Sequence, residues 1–124
     1  MREIKFRAWD KESGRMFSIA RFDFADHTVY SHLFACEGYL AENLKIMQYT
    51  GLKDKNGREI YEGDIVKYPH IVSAKSNWEV SFRGGSFVIK QKYLGISLHE
   101  LAHKNNLEVI GNIYENPELF EVKK

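Results

Sequence analysis

The segment His99-Glu100-Leu101-Ala102-His103 carries the spacing H-E-x-x-H. On a helix this sets two imidazoles one turn apart to hold zinc, with the glutamate beside them to activate water. A catalytic zinc also needs a third protein ligand and an open coordination position. Glu108, Glu115, Glu118 and Glu121 follow in the tail, whereas His27, His32 or His70 would have to be delivered by folding. Ser97 and Glu100 have a competing use, because Ser-x-x-Glu is a capping box whose hydroxyl and carboxylate satisfy N–H groups at a helix start. The helix beginning there is about two turns long, too short to build a buried metal cleft. The expectation is a solvated helix face, with a zinc-dependent hydrolase using His99, Glu100 and His103 as a rival.

The remaining reactive side chains point the same way. Cys36 would be a nucleophile if His32 approached it, but a lone cysteine beside Ala35 reads as a small buried hydrophobe. Gly84-Gly85, flanked by Arg83 and Ser86, belongs to no G-x-x-x-x-G-K-[ST] or G-x-G-x-x-G pattern, so it reads as a turn. No nucleophile elbow accompanies any serine. The sequence therefore assigns no catalytic residue, no cofactor-binding residue and no metal ligand, and the chain is expected not to be an enzyme.

Basic residues interleave with aromatics in two places, Lys5-Phe6-Arg7-Ala8-Trp9 and Phe82-Arg83 through Lys90-Gln91-Lys92-Tyr93. On a β surface such a mixture can hold single-stranded nucleic acid, with bases stacked on rings and cations along the phosphates. The preferred account makes the rings core and leaves the charges in water. It rests on the second run: a two-residue turn at Gly84-Gly85 sets Phe82 opposite Phe87 and Val80 opposite Ile89 on one face, and Glu79 opposite Lys90 on the other. A single-stranded nucleic-acid-binding module stays as the first rival, ahead of the zinc hydrolase.

The elements that must position these residues are mostly strands. Aromatics make up 14% of the chain, and short β-favouring runs recur between turn signals with a period of two. Ile4, Phe6 and Ala8 alternate with Lys5, Arg7 and Trp9, and Asp10 to Gly14 turns the chain into a second strand. Residues 20–39 are weaker and allow one or two strands. Leu44 to Leu52 is extended, Lys53-Asp54-Lys55-Asn56-Gly57 is a turn, and Gly63-Asp64 opens the strand Ile65 to Tyr68. Leu107 to Tyr114 is a further strand, and Asn116-Pro117 caps a short helical turn. The predicted fold is mainly β, a barrel-like or strongly curved antiparallel sheet, with two short helices near residues 97–105 and 117–120.

Composition sets the outer limits. The chain has 124 residues, 44% of them hydrophobic and 28% charged, which predicts one globular domain over residues 1–124. A formal net charge of +1 supplies no global field for nucleic acid or an anionic membrane, so such a partner needs a local patch. One cysteine excludes an internal disulfide and fits a reducing compartment. No run approaches the roughly 18 apolar residues of a membrane span. The cytoplasm is the expected location, without a membrane partner.

Three stretches carry a resemblance. MREIKFRAWD at residues 1–10, QYTGLKDKNGREIYEGDIV at 48–66 and EVIGNIYENPEL at 108–119 resemble, in order, the signature blocks of the YopX family of phage and prophage proteins. The resemblance implies a small, largely β protein encoded by a bacteriophage and acting in the host cytoplasm, without an established reaction. The H-E-x-x-H segment lies outside the blocks. Together these readings predict a non-enzymatic accessory protein that works by protein contact, self-association and a phage or host protein being the expected partners.

Overall fold

A computed structural model describes residues 3–32, 38–70, 75–91, 94–103 and 107–119, with backbone alone at 102 and 103. The chain divides into two compact units, Met1–Tyr49 and Thr50–Lys124.

In the first unit β1 (Phe6–Asp10) and β2 (Arg15–Asp23) form the expected hairpin. Asp10 holds its turn: Oδ1 accepts the Glu12 N–H at 3.1 Å, Oδ2 accepts the Ser13 hydroxyl at 2.7 Å, and Gly14 takes a φ of 68°. Residues 20–39 yield two further strands, β3 (Thr28–Ser31) and β4 (Gly38–Leu40). The β2–β3 register shifts between Ile19 and Arg21, leaving Ala20 as an extra residue. This bulge resets the alternation. Ile19 and Phe22, three apart, therefore both join the small core of Ala8, Val29 and Leu44, together with Phe17, Tyr39, Ala41 and Ile46. Strand β5 (Leu44–Lys53) pairs antiparallel with β1 and runs on past the boundary between the units.

The second unit contains β6 (Glu59–Tyr61), β7 (Asp64–Lys67), β8 (Asn77–Arg83), β9 (Ser86–Gln91), β10 (Leu94–Ser97), helix α1 (Leu98–His103) and β11 (Glu108–Asn112). The β8–β9 hairpin has the register read from the sequence, Glu79 opposite Lys90, Val80 opposite Ile89 and Phe82 opposite Phe87. Gly84 and Gly85 both take positive φ, 59° and 87°, as a two-residue turn that follows the strand twist requires. Ile60, Val66, Trp78, Val80, Ile89, Leu98, Leu101, Leu107 and Val109 form the core. Each such side chain, when fully buried, contributes about 1.5–3 kcal/mol. The Trp78 indole N–H donates to the Tyr68 carbonyl at 3.1 Å, so the largest buried ring keeps its polar atom satisfied.

The strands assemble as two antiparallel sheets, ordered β4-β3-β2-β1-β5-β6 and β10-β9-β8-β7-β11. Both orders are open, so the fold is mainly β as expected but no barrel closes among the described residues. A barrel requires its first and last strands to pair. Here the six-stranded order instead ends in the three-residue strands β4 and β6. The helical expectation is corrected in detail as well. The α-helix has six residues, and Pro117–Leu119 is a single 3-10 turn closed by the Leu119 N–H to the Asn116 carbonyl at 3.1 Å.

Candidate functional site

Helix α1 begins directly after Ser97, which places that serine at the N-cap position. Leu98 and Leu101 point into the core, while His99 and Glu100 are exposed. The His103 side chain, Cys36 and Glu121 lie outside the described residues. The other ligands considered are dispersed. His27, His32 and His70 are exposed, and the His70 ring stands edge-on to Tyr68 with centroids 4.9 Å apart. Glu108 pairs with Lys55 at 3.6 Å, and Glu115 Oε1 accepts the Asn112 side-chain amide at 2.7 Å. Among the described residues no group of three or more His, Cys, Asp or Glu is placed to hold a metal ion.

The acidic and amide side chains of the central and C-terminal blocks turn inward. Asp54 Oδ1 accepts the N–H groups of Asn56 and Arg58, each at 2.9 Å, which is the local turn its sequence announces. Its Oδ2 does something the sequence did not announce. It accepts the N–H of Val109, 55 residues away, at 2.9 Å and so ties the turn to β11. Asp64 Oδ2 accepts the Tyr61 N–H at 2.8 Å. Thr50 donates to the Ile60 carbonyl at 2.8 Å, and Asn112 Oδ1 accepts the N–H groups of Tyr114 and Glu115 at 3.0 and 2.8 Å. Asp54, Asp64, Thr50 and Asn112 are all buried. The bonds to Asp54 and Asp64 are charge-assisted and hold those carboxylates as structural ties within the fold.

The two basic–aromatic runs have opposite outcomes. In the β8–β9 hairpin Phe82 and Phe87 meet edge to face at 4.9 Å, on the face away from the Glu79–Lys90 pair. Phe82 departs from the expectation that these rings are core, being 49% exposed, whereas Phe87 packs against the core cluster. Burial pushes the Glu79 carboxyl above the ordinary carboxylate range, and the Lys90 charge pulls it back.

In β1 the even-numbered Phe6 and Ala8 share one face, and Arg7 and Trp9 share the other. Trp9 stands between Lys45 of β5 and Met16 of β2, and Arg7 between Met47 and Ser18. The bulge at Ala20 brings Arg21 onto this same face, where its guanidinium lies 4.1 Å from the Tyr30 ring centroid. Lys5, just before β1, lies 5.6 Å from the Tyr49 ring centroid and 3.3 Å from Glu3. One side of the first unit's sheet thus gathers Lys5, Arg7, Arg21 and Lys45 around Trp9, Tyr30 and Tyr49.

The family model described as YopX protein matches residues 5–121. The chain belongs to the YopX family. A crystal structure of protein EF1440 from Enterococcus faecalis is similar with a TM-score of 0.74 and 30% identity, covering 98% of this chain and all of that one. The YopX protein of Bacillus subtilis is similar in fold, with a TM-score of 0.53 and 21% identity over the full length of both chains. Among curated proteins no sequence matches. Membership establishes lineage and fold, and neither relative is named for an activity. Among the described residues no helix is long and apolar enough to cross a membrane.

Proposed function

We propose that this YopX-family chain is a phage- or prophage-encoded accessory protein of the host cytoplasm that works by contact with another protein, a second copy included, and not by catalysis. The observation that carries the reading is at the turn between β2 and β3. Phe24 is 76% exposed and stacks on Phe22 with ring centroids 4.5 Å apart and planes 17° apart. The turn beneath it is held by Asp23 Oδ1, which accepts the N–H groups of Ala25 and Asp26 at 3.0 and 3.2 Å. A ring presented on a braced turn is suited to inserting into a partner's pocket, since little conformational freedom is lost on binding. The inward-facing carboxylates of the signature blocks support the non-catalytic half of the reading.

The test is Phe24→Ser, compared with the parent chain by light scattering at high concentration and by affinity capture from prophage-carrying cells. The expected result is an assembly, either of copies or with one protein partner, that the parent forms and the variant does not. A parent chain that stays monomeric and retains no protein in a Phe24-dependent way would overturn the proposal.

A further inference from the structure

The face of the first sheet opposite its small core carries an inference beyond protein contact. We infer that this face, centred on Trp9 with Lys45 beside it and Arg21 further along β2, binds single-stranded nucleic acid, with a base stacked on the indole and phosphates along the cations.

Three features support it. The first is co-location. Trp9 is directly paired with Lys45 on one side and Met16 on the other, so an indole edge, an ammonium and an apolar thioether form one row across three strands. Neighbouring strands lie about 4.8 Å apart and same-face residues along a strand about 7 Å apart, a grid on the scale of successive nucleotides in an extended strand. Met47, Arg7 and Ser18 make the next row, and Arg21 paired with Tyr30 follows further along β2, past the bulge. The second is access. Met47 and Tyr49, on the same face of β5, are buried, so the open part of the face is the part around Trp9, where Lys45, Ser18 and Arg21 are exposed and Trp9, Met16 and Tyr30 are half-buried, with part of each ring outward. Rings anchored this way give stacking platforms, which accept any base because every base has a π face.

The third is charge. The molecule's formal net charge is only +1, so the two exposed cations on this face, Arg21 and Lys45, are a local excess; Lys5 is engaged by Glu3 at 3.3 Å and the Arg7 Nε is buried. By strand alternation, Asp23 at the far turn is the one carboxylate of the described strand residues in this unit that shares the face, its Oδ1 engaged by two turn N–H groups, and Glu3, ahead of β1, pairs with Lys5. A polyanion is therefore attracted, and the ring at the centre selects one whose flat bases are free to stack. That favours an unpaired strand over a duplex, whose bases are already stacked on each other. It also favours an unpaired strand over an acidic peptide, which has no use for the indole.

The experiment is fluorescence anisotropy with dye-labelled oligo-dT and oligo-rU across a salt series, on the full chain. The parent should bind at low salt and weaken steadily as salt rises. Lys45→Glu and Arg21→Glu, both exposed changes, should each weaken binding about tenfold and lower the salt slope by about one. Trp9→Ala should weaken it about tenfold with the slope unchanged, and Trp9→Phe, which keeps a ring, should retain affinity. Arg83→Glu, on the second unit's hairpin, should bind as the parent does. The inference is overturned by no binding at the lowest salt, by equal affinity for a duplex, by equally effective displacement with polyglutamate, or by parental affinity in both charge reversals.

Discussion

The two units meet the same sequence ingredients with opposite results. Each has a hairpin rich in rings and cations, and each has aspartates at its turns. In the second unit the β8–β9 register sends Phe82 and Phe87 to one face and Glu79 and Lys90 to the other. In the first, Trp9 falls in step with Arg7 and not with Phe6 and Ala8, so ring and charge come out together. What separates the two hairpins is the parity of one tryptophan, which puts ring and cations on one face of β1, and not composition. The aspartates diverge in a similar way. Asp54 of the second unit is buried and fastens a distant strand, whereas Asp10 of the first serves its own turn and stays near the surface.

That contrast yields its largest effect at Asp54. Asp54→Ala removes three hydrogen bonds to a carboxylate and strands the Val109 N–H in the interior, which should cost about 3 kcal/mol, read as a shift in the urea midpoint. A loss below that of Asp10→Ala would erase the distinction between the units. Next is Gly85→Ala, where a φ of 87° is imposed on an L residue; about 1–2 kcal/mol should be lost although a Cβ there would meet no atom within 4 Å. Asp10→Ala removes a local turn cap exposed to water and should cost about 0.5–1 kcal/mol, measured in the same titration.

The smallest effect concerns pH. Because burial raises the Glu79 carboxyl in the folded chain, the native state holds that proton more tightly than the unfolded one. Stability should therefore decline as pH rises from the ordinary carboxylate range through the raised value, and be fully lowered above it. Glu79→Gln should flatten that slope, and removing Lys90 should steepen it by withdrawing the charge that opposes the shift. An unchanged slope in Glu79→Gln, from urea midpoints at mildly acidic and neutral pH, would place the effect elsewhere.

Much of this was legible before the structure. The β8–β9 register was readable because two independent signals, alternation of Val80, Phe82, Phe87 and Ile89 and the opposed charges of Glu79 and Lys90, agree on one pairing. The first hairpin was readable from Asp10 and Gly14. Three things were not. Nothing local marks Ala20 as an extra residue, and without that bulge Arg21 would point away from Trp9, so only half of the candidate face could be read from alternation. The bond from Asp54 to Val109 joins residues too far apart for any turn rule. Sheet closure depends on which strands end up at the edges, and short strands such as β4 and β6 carry too little pattern to say. Trp9 itself is legible on the charged side of β1; the β8–β9 run, where the parity is reversed, points the other way.

The most direct test of the division between the units is an NMR titration of isotope-labelled protein with oligo-dT, following backbone amides and the tryptophan indoles. The account predicts shifts at the Trp9 indole and the amides of Arg7, Arg21, Tyr30 and Lys45, with the Trp78 indole unmoved. Shifts centred instead on Phe82 to Phe87 or on His99 and Glu100, with Trp9 silent, would contradict it.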